Sequence, residues 1–168
     1  MIPLGPVVAR TRTVAPRELV WSFIADAVKR ETWWSDLVLT AELGAEVTEQ
    51  WSEGEGDAAV GRDAFGTVDV CSVGHAIGFR WRERGDETET AVLITLRAFD
   101  GGTSVTVTET GFDKLPNGAA RASASLEGWS ALLRYLIEAL PASAPAAADD
   151  AATAKPAPAT EPATENFA

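Results

Sequence analysis

The chain has 168 residues, a net charge of −11, 46% hydrophobic residues, six tryptophans, one histidine and one cysteine. That charge disfavours nonspecific contact with nucleic acid or anionic membrane, both of which reward clustered lysine and arginine, and a lone Cys71 excludes an internal disulfide. No apolar run approaches the ~20 residues that a membrane span requires, and MIPLGPVVARTR lacks the basic-then-apolar order of a secretory leader, so a cytoplasmic protein without membrane insertion is expected.

Residues 4–14, LGPVVARTRTV, alternate well enough to predict a first strand, after which Pro16 suits the first turn of a helix. PRELVWSFIADAV sets Val20, Phe23, Ile24 and Ala27 on one face and predicts an amphipathic helix over Pro16–Ala27. A second short helical piece is predicted over Val28–Trp34. Trp33 and Trp34, being adjacent, cannot share a helical face, so one is expected inside and the other at a groove or rim.

From Leu37 the apolar period becomes two, through Leu39, Ala41, Leu43, Ala45 and Val47, which predicts a half-buried strand bent at Gly44. The same parity carries Glu49 inward beside Val47 and Trp51. Ser52–Asp57 reads as a loop, and further strands are predicted at Phe65–Ser72, Ile77–Glu83, Thr90–Phe99 and Thr103–Thr110. The short turns between these later strands, most of them containing glycine, imply antiparallel neighbours. In IGFRWRE, Ile77, Phe79 and Trp81 share a face opposite Arg80 and Arg82. In TSVTVTETGF, Val105 and Val107 point inward and period two carries Glu109 with them. An inward carboxylate must be hydrogen-bonded, paired or close to water, because an unpaired buried charge is too costly.

The strongest structural stretch is residues 117–141, NGAARASASLEGWSALLRYLIEALP. Ala122, Leu126, Trp129, Leu133, Leu136 and Leu140 recur at three- and four-residue steps, widened by Leu132 and Ile137, which predicts a long helix capped by Asn117 and stopped by Pro141. Residues 1–140 are expected to form the domain. Residues 141–168, rich in Ala, Pro and acidic residues and without periodicity, are expected to be disordered. That tail carries four acids against Lys155, or −3, which leaves −8 to the domain.

A strand, two short helices, an antiparallel meander and a long last helix is the element order of an α+β helix-grip fold, in which a curved sheet wraps around its C-terminal helix. The segments APRELVWSFIAD, FGTVDV, IGFRWRERGDETETAVLITL, GGTSVTVTETGF and GWSALLRYLIEAL resemble the START-like, or SRPBCC, superfamily. Within it they are most similar to the branch of the heat-shock-protein-90 ATPase activator C-terminal domain, over about residues 5–140. The resemblance implies a deep, mostly apolar cavity between the sheet and the last helix. It carries no shared catalytic motif onto numbered residues, and function varies widely on this fold.

The chemistry available is sparse. One histidine and one cysteine give poor support to a metal site, because His75 has no ligand-type neighbour at useful spacing, and no cofactor is expected. His75 and Cys71 read more simply as structural than as parts of a nucleophilic triad, and GEGDAAVG lacks the ending of a phosphate loop. What remains is a pair of inward carboxylates, Glu49 and Glu109, among aromatic side chains. The expected ligand-binding set is Trp33, Trp51, Phe65, Phe79, Trp81, Glu109, Trp129 and Leu133, around a small hydrophobic molecule. Two other functions compete with this one: a co-chaperone-like role toward a protein partner, or homo-oligomer formation, and a cyclase- or dehydratase-type activity with Glu109 as general acid or base and Glu49 as helper.

Overall fold

A computed structural model describes residues 4–142, so the tail expected over 141–168 lies almost wholly outside the described residues. In chain order the elements are β1 (Val7–Thr13), α1 (Arg17–Ala25), α2 (Ala27–Glu31), β2 (Leu37–Leu39), β3 (Glu46–Glu53), β4 (Val60–Ser72), β5 (Ala76–Glu83), β6 (Thr90–Phe99), β7 (Gly102–Thr110) and α3 (Gly118–Ala139). Single 3-10 turns occupy Gly56–Ala58 and Phe112–Lys114. The seven strands form one antiparallel sheet in the order β1-β7-β6-β5-β4-β3-β2. The helices α1 and α2 carry the chain from one sheet edge to the other, and α3 covers the inner face, with its closest backbone approach to β1. This is the α+β helix-grip arrangement.

Period-two patterning fills that inner face. Val47, Ala64, Val68, Ile77, Phe79, Val92, Val105 and Val107 are buried there, together with Leu133, Leu136 and Leu140 of α3 and Val20 and Ile24 of α1. In β4 the register slips between Val68 and Val70, so Asp69 is an extra residue. Val68 keeps the inward alternation of Ala64, and the bulge beyond it leaves Val70 half-exposed. Cys71, beyond it, donates its thiol to the Ala41 carbonyl. The buried Arg30 donates to the carbonyls of Ile24 and Leu39, each at 2.7 Å, which ties the end of α1 to β2.

Three local expectations change. The strand expected from Leu37 to Val47 is two antiparallel strands, because Gly44 adopts φ +82° and the chain reverses through Thr40–Ala45. Leu43 at that turn is exposed, yet Leu37, Leu39, Val47 and Glu49 all keep the inward parity. Asn117 precedes α3 in a left-handed conformation and its side chain makes no capping bond. Trp33 and Trp34 part as expected: both are buried, but the turn after α2 points them in different directions. Finally, Leu126 is 42% exposed, because the buried face of α3 is rotated toward Ser125, Trp129, Leu133 and Leu136.

The two leucines give a direct test of that rotation. Leu136→Ala removes a side chain with no exposure and should cost about 2–5 kcal/mol in urea unfolding, whereas Leu126→Ser should stay within about 0.5 kcal/mol.

Candidate functional site

The sheet and α3 do not close completely. Toward the Glu49 and Glu109 end of the sheet they enclose a cavity of about 490 Å³ that opens to solvent. Its walls are Trp34 before β2, Trp51 on β3, Trp81 on β5 and Trp129 on α3, with Phe112, Leu115, Leu132 and Tyr135 completing the apolar surface. The rings are coupled edge to face and face to face. Trp34 meets Trp129 at 5.4 Å and 87°, and Trp129 stacks on Trp81 at 6.0 Å and 25°.

Glu109 lies at the floor, 3% exposed. Strand β7 carries it inward after Val105 and Val107, and four donors converge on it from three elements. Trp81 Nε1 at 3.1 Å and Thr90 Oγ1 at 2.6 Å donate to Oε1. Ser125 Oγ at 2.5 Å and Trp129 Nε1 at 2.8 Å donate to Oε2. Two oxygens offer about four acceptor positions, so the carboxylate is filled. In this arrangement the group anchors the walls, joining β5, β6 and α3 through its two oxygens.

Glu49 is different. Trp34 Nε1 donates to Oε2 at 2.5 Å, and the Arg62 guanidinium forms an ion pair with Oε1. Each oxygen thus keeps an open acceptor position among the described residues. Burial pushes the Glu49 carboxyl above its ordinary range, against the downward pull of Arg62 and of the Trp34 hydrogen bond. Arg62 also donates to Glu83 at 3.1 Å and lies over the Trp81 ring, its guanidinium carbon 4.3 Å from the centroid. At the mouth, Arg121 of α3 holds Asp86 of the β5–β6 loop through two bonds of 2.9 and 2.6 Å. Those bonds hold the Asp86 carboxyl below its ordinary range.

Of the residues expected from sequence, Trp51, Trp81, Glu49, Glu109 and Trp129 meet at this cavity, and Trp33, Phe65, Phe79 and Leu133 do not. Trp33 turns its indole N–H to the Phe23 carbonyl, and its neighbour Trp34 takes the wall. Phe79 is fully buried beneath Trp81, at 4.8 Å. Leu133 and Trp33 border a separate void of about 10 Å³, too small for a ligand. Phe65 lies on the outer sheet face between Arg82 and Arg84, because β4 alternates Arg62, Ala64, Gly66 and Val68 inward. The residues missed from sequence are Trp34, Arg62, Thr90 and Ser125. Helical spacing could have found Ser125, four residues before Trp129; β4 parity could have found Arg62.

Among the described residues no group of three His, Cys, Asp or Glu side chains is placed to hold a metal ion, and no helix is long and apolar enough to cross a membrane. Residues 14–140 match the family described as "Activator of Hsp90 ATPase homolog 1-like protein". Among solved structures, the chain is similar to protein MLL2253 from Mesorhizobium loti, with 18% identity, TM-score 0.66 and coverage of 81% of this chain and 96% of that one. It is likewise similar to the Aha1 dimer from Colwellia psychrerythraea, with 15% identity, TM-score 0.66 and coverage of 82% and 96%. A third, DynU16 from the dynemicin biosynthetic locus, gives 21% identity and TM-score 0.67, covering 81% of this chain and 47% of that one. At these identities the likeness is one of fold. No curated protein matches the chain.

Two measurements follow from the carboxylates. Glu109→Gln places an amide NH2 against an indole N–H that cannot turn to accept, so chemical denaturation should show a loss of about 1–3 kcal/mol. For Glu49 the raised pKa means that the folded state holds a proton where the unfolded chain has lost it. Its contribution to stability therefore falls as pH rises from the ordinary 4.5 through the raised value. Unfolding free energies across pH should show the wild type losing ground to Glu49→Gln over that window.

Proposed function

The chain belongs to the family of activator of Hsp90 ATPase homolog 1-like proteins, and from that footing we propose that it binds a small, largely apolar molecule in the cavity between the sheet and α3. The observation that carries this reading is the cavity itself. A packed interior leaves few voids larger than a water molecule, whereas about 490 Å³ remains open here among four tryptophans. Their indole N–H groups are not spread at random: those of Trp34, Trp81 and Trp129 are turned into the two carboxylates. Apolar walls with few fixed polar groups are the usual make-up of a small-molecule site.

Gly128 of α3 supports the same reading. A glycine in a helix interior costs about 1 kcal/mol relative to alanine, and a Cβ added here would meet nothing within 4 Å. Packing does not require it; it lines the cavity and leaves room there.

The family description also names activation of a chaperone ATPase, which supports a second reading as a protein-interaction domain. An unchanged ATPase rate on mixing with an Hsp90-type chaperone would count against that role.

The ligand reading is tested with a panel of uncharged apolar compounds. A ligand that binds only the folded state adds about 2.7 kcal/mol of stability at a hundredfold excess over Kd, so at least one compound should raise the melting temperature. Gly128→Leu should raise the stability of the free protein and abolish that ligand-dependent rise. A variant that still responds to the compound fully would place binding elsewhere.

A further inference from the structure

The cavity has two carboxylates, and the structure gives them different tasks. Glu109 accepts four hydrogen bonds and has no capacity left, while Glu49 has one donor on each oxygen and faces the cavity. We propose that the Glu49–Arg62 pair is the polar selector of this site, admitting an uncharged ligand that brings a hydroxyl-type donor and turning away organic anions of the same shape. This rests on the ligand reading above and adds the class of ligand to it.

Electrostatics support the exclusion of anions. The cavity lining includes Arg62, Arg82 and Arg121; Arg62 and Arg121 are ion-paired, whereas the Arg82 guanidinium lies over Phe65 on the outer sheet face. Arg62 is shared between Glu49 and Glu83, Arg121 is bound at both ends by Asp86, and Arg82 donates to the Asp86 carbonyl. Against them the lining sets the carboxylates of Asp36, Glu49, Glu83, Asp86 and Glu109, a formal charge of −2. At Arg62 or Arg121 an anionic ligand would have to separate an ion pair, and breaking a partly buried pair leaves a charge uncompensated. An uncharged hydroxyl avoids that penalty. It donates to an open acceptor position of Glu49, a hydrogen bond strengthened by the charge on its acceptor, while its apolar body lies among the tryptophan walls.

The groups around Glu49 also set the pH response. Arg62 from β4 and Trp34 before β2 touch it, Asp36 stands near it in the same connection, and Glu83 from β5 shares its arginine. With Glu49 ionised, hydroxyl donation is favoured and anions are repelled. Once Glu49 is protonated, the carboxyl offers a donor, the repulsion falls, and the preference narrows.

The test uses 2-naphthol and naphthalene-2-sulfonate with the full chain, followed by calorimetry. The two share one ring system, and the sulfonate stays ionised throughout the range used. At about pH 8 naphthol should bind at least about tenfold tighter, a difference of roughly 1.4 kcal/mol. As the pH is lowered from about 8 through the raised pKa of Glu49, that ratio should shrink. Glu49→Gln should bring the ratio at the higher pH to within about threefold, because the amide adds a donor and removes the charge; if that variant does not fold, the wild-type pH series decides. Equal binding of both compounds, tighter binding of the sulfonate, or a ratio independent of pH would overturn the selector while leaving the ligand site in place. Binding of other uncharged probes but of neither naphthalene would also overturn it. Failure of every apolar compound would instead remove the ligand reading on which it stands.

Discussion

A carboxylate buried beneath a helix is the constraint on which the rest of this structure depends. Glu109 is placed in the interior by the period of β7, and in a medium of low polarity it must find donors or destabilise the fold. It finds four, from β5, β6 and α3. The helix is thereby fixed in rotation and height over the sheet, because Ser125 and Trp129 must reach one oxygen together. Apolar packing by Leu133, Leu136 and Leu140 gives α3 its adhesion, but such packing is non-directional. The carboxylate supplies the direction.

The same contact keeps the two layers apart where the cavity lies. Trp81 and Trp129 stack above Glu109 with their N–H groups turned down to it, so neither ring can fold into the space beside it. Trp34 is held in the same manner by Glu49, and its edge meets Trp129. Three of the four tryptophan walls are therefore fixed by two acids, and the open volume persists without a side chain to fill it.

That division of labour separates fold from function within one constellation. Aromatic rings around two acids look alike by type, yet acceptor capacity distinguishes them: Glu109 is filled and organises the layers, whereas Glu49 keeps open acceptor positions among the described residues. The mouth follows a similar logic. Arg121 and Asp86 tie α3 to the β5–β6 loop through two parallel hydrogen bonds, which sets the rim by directed contacts rather than by apolar burial.

The sequence by itself determined the helix-grip order of elements, the extents of β5, β6 and β7 to within about one residue, and the inward parity of both Glu49 and Glu109, because period two and period 3.6 are local properties of the chain. It also marked Trp51, Trp81 and Trp129 for one cavity. Local pattern did not show that Trp34 and not Trp33 forms a wall, that Leu126 faces out while Ser125 faces in, or that Phe65 lies on the outer sheet surface. Nor did it reveal Arg62 as the partner of Glu49. These outcomes depend on the turn at Gly44, on the bulge after Val68 and on the rotation of α3. Tertiary structure decided them because each requires groups far apart in sequence to satisfy one another's hydrogen bonds and charges at a single point in space, and no periodicity along the chain encodes which donor will reach which oxygen.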